Sequence, residues 1–169
     1  MTNFGRETAE QSSPTRDYLK SGIILAGGSD WLTNPLNPFL HMYFAVARKT
    51  KAGNPLGQNQ ALTPAEALAM HTKYAAYVTF EENSKGTLAP GKLADLAVLS
   101  HDPLEIATEQ IKDIKVLMTL VGGEVVYQVK RLPAALGISF IAGNVSAAFG
   151  IGGGILKVPV LNAWCGVPI

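Results

Sequence analysis

Gly22-Ile-Ile-Leu-Ala-Gly-Gly-Ser-Asp30-Trp31 is the stretch on which the reading of this chain turns. Its four apolar residues, 23–26, have the length and character of a short buried strand, and Gly27 and Gly28 end it. An acid, Asp30, then stands at the strand's C-terminal tip. In a parallel α/β barrel the strand tips and their loops line the open face where chemistry is done.

Upstream, residues 1–14 are polar and rich in Ser, Thr and Glu, and are expected to be loose. Residues 15–20 suit one or two turns of helix. The first twenty residues have no apolar core, so no signal peptide is expected there. Downstream, Asn37-Pro38 has the form of an N-cap followed by proline at the first helical position. Phe39, Leu40, Tyr43, Val46 and Ala47 recur at three and four residues and predict one apolar face. Arg48, Lys49 and Lys51 close that helix, where cations suit its dipole. Residues 51–61 are a Gly/Asn/Gln loop. Thr63-Pro-Ala-Glu66 is a capping box, predicted to open a second helix that runs to about residue 78.

From residue 86 the period changes. Pro90-Gly91 marks a turn, residues 93–99 a strand, and Asp102-Pro103 a further turn. Residues 115–120 and 124–129 are predicted strands either side of Gly122-Gly123, a two-residue hairpin signal.

The 169 residues carry 14 Lys+Arg and 13 Asp+Glu, a formal net charge of +1. No basic surface is implied, so nucleic acid is not an expected partner. A single cysteine, Cys165, excludes an internal disulfide and a cysteine-only metal site. With no paired base identifiable, it reads as a small apolar residue. The charges are unevenly placed: of 27, only Lys157 follows Leu132. Residues 132–156 hold none over 25 positions, and a membrane-spanning helix needs about 20. Six of those 25 are glycine, and Gly150 to Gly154 would break or bend a helix. Lys130 and Arg131 before the segment weigh towards a cytoplasmic N-terminal side.

Over residues 22–127 the sequence resembles the C-terminal end of the amidohydrolase superfamily, in the branch called amidohydrolase family 3. The matching pieces are Gly27-Gly28-Ser29-Asp30-Trp31 with Pro35 and Pro38, residues 63–76, residues 86–99 and residues 114–127. They come in the family's order and spacing, over roughly the last quarter of a full-length member. The resemblance implies a (β/α)8 barrel whose last strand is 23–26. It also implies a β-sandwich formed by chain ends, to which residues 93–99 and the Gly122-Gly123 hairpin belong. It implies hydrolysis of C–N bonds other than peptide bonds at a divalent-metal site, zinc first among the candidates. The family's acid falls on Asp30, as metal ligand and catalytic group. A metal brings the pKa of bound water to about 7, and a neighbouring carboxylate can take the water's proton and pass it to the leaving amine. Without the flanking match, Asp30 would read only as a loop N-cap.

The chain departs from the family in lacking a His-x-His pair. Its histidines, His41, His71 and His101, are isolated in sequence and read as satisfied or solvated. A zinc site needs about three protein ligands, so the chain alone is not expected to turn over substrate.

Residues 132–169 carry a second resemblance. Ile141-Ala-Gly143, Phe149-Gly-Ile-Gly-Gly-Gly154, Val158-Pro159 and Gly166-Val-Pro168 resemble the opening segment of a sulfite-exporter-type (TauE/SafE) permease. That resemblance implies an interrupted membrane helix, and anion transport in a full protein. The glycine run is not a phosphate loop, having no Gly-Lys-Ser/Thr, and not a dinucleotide fingerprint.

The expected fold is therefore α/β: the last β/α unit of an incomplete (β/α)8 TIM-like barrel, a small antiparallel β-sandwich portion, then one Gly-interrupted apolar helix of membrane type. Residues 1–20 form a flexible or truncated lead-in, 21–84 the barrel portion, 85–129 the sandwich portion and 132–169 the membrane segment. The expected function is that of a C-terminal amidohydrolase fragment acting on a small-molecule substrate, completed by a missing barrel half or by a homo-oligomer. The alternative is a membrane-anchored, non-catalytic or permease-associated protein. Residues 1–131 are expected to be cytoplasmic, with membrane association through 132–156.

Overall fold

Where the sequence places a barrel strand, a computed structural model has irregular chain without a sheet. The structure describes residues 5–30 and 35–129. Residues 23–26 belong to no strand ladder, and Ile23 and Ile24 are 49% and 39% exposed. This corrects the expected strand, and the reason is physical: a parallel barrel strand gets its ladder bonds and its cover from neighbouring β/α units. Here the segment is tied by single bonds instead, Ile23 N–H donating to the Tyr18 carbonyl (3.0 Å) and Gly27 N–H to that of Met70 (2.9 Å).

The described residues divide into two units, one of those up to 80 with 101–114, the other of 81–100 with 115–129. The first is helical. Helix α1, Arg6–Glu10, lies in the stretch expected to be loose. Arg6 and Glu10 pair one turn apart at 2.7 Å, a local contact that supports so short a helix. Helix α2, Thr15–Lys20, follows as expected. Helix α3, Pro38–Ala47, is capped by the Asn37 side chain, which accepts from Phe39 N–H at 3.0 Å. Its buried residues are Phe39, Met42, Tyr43 and Ala47; Leu40 and Val46 of the predicted face are only half-buried. A 3-10 turn, Gln58–Gln60, interrupts the predicted loop.

The predicted second helix is two. Helix α4, Pro64–Met70, opens with both halves of the Thr63/Glu66 capping box formed, and α5 spans Lys73–Val78. Between them Thr72 leaves helical geometry, at φ −128° and ψ −97°. The Thr72 hydroxyl donates to the Leu68 carbonyl (2.8 Å), giving that acceptor a partner outside the regular helical ladder. A second 3-10 helix, Thr108–Asp113, packs on α3 and buries Ile111 completely. There Tyr43 donates to Glu109 (2.9 Å), Lys49 pairs with the same carboxylate, and Lys112 sits over the Tyr43 ring.

The second unit is an antiparallel sheet in the order β1-β2-β3: Leu96–Leu99, Val116–Val121 and Glu124–Gln128. Strand β1 starts three residues later than predicted, because Leu93 N–H is used in a loop bond to Ser84. In the pairing, Leu96 faces Leu120 and Val121 faces Glu124. Gly122 and Gly123 have φ of 58° and 88°, as a two-residue hairpin with the strands' own twist requires. Asp95 accepts from Gly122 N–H at 2.8 Å and so fastens the hairpin to the start of β1. Leu120 and Val98 are buried, while every residue of β3 is exposed.

Among the described residues no helix is long and apolar enough to cross a membrane. The expected membrane segment, the permease resemblance and Cys165 all lie outside them.

Candidate functional site

Asp30 follows the 23–26 segment and is exposed. Its backbone is left-handed, φ 51°, a region in which a residue with a β-carbon is crowded but Asp and Asn are the best tolerated. Such a conformation persists only where the surroundings hold it.

Two features hold the approach to Asp30. One is the bond from Gly27 N–H to Met70 at the end of α4. The other is steric. A β-carbon at Gly27 would lie 2.6 Å from Cε1 and 2.7 Å from Nε2 of His71. Gly27 is not in the left-handed region, so what a side chain would meet here is the His71 ring, and one of the two would have to shift. The imidazole of His71 occupies the space a side chain would fill.

His71 also meets His41. The two rings are 6.2 Å apart between centroids and tilted by 49°. The sequence reading of three isolated histidines is corrected here, since helices α3 and α4 bring two of them together across 30 positions of chain. Burial, and then the neighbouring His41, push the His71 imidazole below its ordinary pKa. His41 Nε2 is buried and has no hydrogen-bond partner among the described residues. That overturns the reading of His41 as satisfied or solvated. His101 lies in the turn region after β1, as expected. Nothing in the sequence linked Gly27 to His71.

No group of three or more His, Cys, Asp or Glu side chains among the described residues could hold a metal ion. Asp30 is a single donor, and a tetrahedral zinc site needs about three from protein. The residues described here do not by themselves fit the metal centre expected from the resemblance, and no chemical step is derived through it. What the arrangement offers is one exposed carboxylate with a left-handed backbone and, at Gly27 three residues before it, a pair of imidazoles with the neutral form favoured at His71.

The model of the amidohydrolase family matches residues 1–127, which include the first fourteen residues. The N-substituted formamide deformylase of Arthrobacter pascens is 36% identical over 115 residues, 68% of this chain and 21% of the deformylase. YtcJ of Bacillus subtilis (strain 168) is 31% identical over 131 residues, 76% of this chain and 25% of YtcJ. The crystal structure of an amidohydrolase from Thermotoga maritima MSB8 superposes with a TM-score of 0.50 at 21% identity, covering 66% of this chain and 24% of that one. This last likeness shows the fold. The chain thus spans about a fifth to a quarter of the curated relatives it matches. With the match extending over three quarters of its length, the chain belongs to the amidohydrolase family.

Proposed function

We propose that this chain forms the C-terminal portion of a hydrolase that cleaves carbon–nitrogen bonds other than peptide bonds in a small molecule. Asp30 is the acid it contributes. The observation that carries this reading is the family match running through the 23–30 segment, with Asp30 at its end. The deformylase's name supports an amide of the N-substituted formamide type as substrate. The family's general dependence on a metal supports a divalent ion, zinc first, in the assembled enzyme. In this reading the other donors come from the rest of the barrel, and the chain alone is inactive. The half-exposed Ile23 and Ile24 support its association with further barrel strands, or with a second copy that supplies them.

Complementation tests the proposal. The chain is co-expressed with the N-terminal barrel portion of the deformylase, and release of formate from an N-substituted formamide is followed. Turnover by the pair, lost in the Asp30→Asn variant, is expected. Equal turnover with D30N would remove Asp30 from the reaction, and turnover by the chain unaided would overturn the need for completion.

A second reading rests on the uncharged run at 132–156. It makes the chain membrane-associated through that run, with residues 1–131 cytoplasmic. The same distribution between membrane and soluble fractions with and without residues 132–169 would defeat it.

A further inference from the structure

Building on the reading of Asp30 above, we propose that His71 is a positioning residue for that carboxylate, acting through Gly27. Its imidazole sits where a Gly27 side chain would be, and the next carbonyl back along its own helix, that of Met70, accepts the Gly27 N–H at 2.9 Å. One ring and one hydrogen bond therefore fix both the height and the lateral position of Gly27 against the end of α4. Three residues later the Asp30 backbone takes up its left-handed conformation, which surrounding contacts help to hold. A flat ring suits this role, because it lets the backbone of 27 approach the helix closely while filling the gap that a small side chain would leave. The His41 ring, 6.2 Å from that of His71, backs it from α3. His71 acts at Gly27, so its influence on the Asp30 carboxylate runs through the backbone of residues 27–30.

The interaction makes a reciprocal prediction. Gly27→Ala places a methyl group 2.6–3.0 Å from three atoms of the ring and must displace one or the other. Removing the ring restores the room. The test uses the full 169-residue chain, isotope-labelled, and reads the amide and α-carbon signals of Ser29 and Asp30 by NMR, along with the Asp30 coupling constant that reports its left-handed φ.

H71A and G27A are each expected to shift these signals more than those of any residue outside 27–30 and 70–72, and to move the coupling towards an averaged value. H71F, which keeps a flat ring, is expected to retain the wild-type coupling. The G27A/H71A double variant is expected to lie nearer to wild type than G27A does. A residue that only stabilises the fold would lower the melting temperature without this local pattern or the partial rescue. Unchanged Ser29 and Asp30 signals in folded H71A and G27A would overturn the proposal. So would loss of folding in both, which would assign the contact a structural role. D30N in the complementation assay separates the two ideas: if it leaves turnover intact, Asp30 is not the acid, whereas the coupling of residues 27, 30 and 71 stands or falls on the spectra.

Discussion

Arg16 and Glu66 join α2 to the first turn of α4 through a hydrogen-bonded ion pair at 2.5 Å, with the same Glu66 carboxylate closing the capping box on Thr63. The Arg16 guanidinium also reaches the Ala61 carbonyl at 2.6 Å, so one side chain ties α2 to the chain entering α4. Arg16, opposed by some desolvation and helped by Thr63, holds the Glu66 carboxyl down to about 2.

That value sets an acid limit. The folded pKa lies below the unfolded value of about 4.3, so the stabilisation is complete above that pH and is lost as pH falls towards 2. Glu66→Gln is expected to cost about 1–2 kcal/mol at neutral pH, solvent screening part of the pair and the cap being weakened. The variant's denaturation midpoint should change less than that of the parent between pH 5 and 2.5. Parallel pH profiles would show that the pair contributes nothing.

His71 acts in a higher window. Its folded pKa is depressed by burial and by His41, so protonation opposes the fold. Its contribution is present above the ordinary histidine value of about 6.5 and is lost as pH falls through the folded pKa. Melting temperature should therefore decline from pH 7.5 towards pH 5, and H71F should remove part of the decline. An identical slope in H71F would assign it to other groups.

Ile111 has no exposed surface and anchors the 3-10 helix against α3. Ile111→Ala is expected to cost about 2–5 kcal/mol, the transfer and cavity terms together, and Ile111→Val about 1 kcal/mol. Urea titrations with a signal from the first unit will read the difference; equal midpoints for wild type and alanine would mean that the site collapses around the smaller side chain.

The hairpin gives a conformational test. Gly122 and Gly123 both have positive φ. Valine at 122 should lose about 1–2 kcal/mol from left-handed strain, whereas asparagine, which tolerates that region, should lose less. Hydrogen exchange of the amides in β2 and β3 provides the readout. Equal protection in the two variants would show that the turn does not limit sheet stability.

The sequence by itself determined those features whose causes are local. Asn37-Pro38 and Thr63 to Glu66 specify helix starts through side chains that bond the adjacent backbone, and both formed. Gly122-Gly123 specifies a hairpin because two glycines take two positive φ angles without a β-carbon clash, and it formed with the expected strands beside it. Asp30 stands out as a candidate acid only through the family resemblance of its flanks, because its immediate neighbours alone would make it a loop N-cap. Tertiary structure decided what depends on neighbours distant in sequence. Residues 23–26 have a strand's composition but no ladder, because a strand exists only with partners to bond to. The break at Thr72 was hidden because a hydroxyl bonding back to a carbonyl looks, in sequence, like any other threonine in a helix. His41 and His71 read as unrelated until α3 and α4 packed, and Gly27 read only as a glycine that ends a strand until His71 was found in the space its side chain would have needed. Local hydrogen bonding and φ preference are written residue by residue, whereas close approach between segments arises only when the whole chain packs.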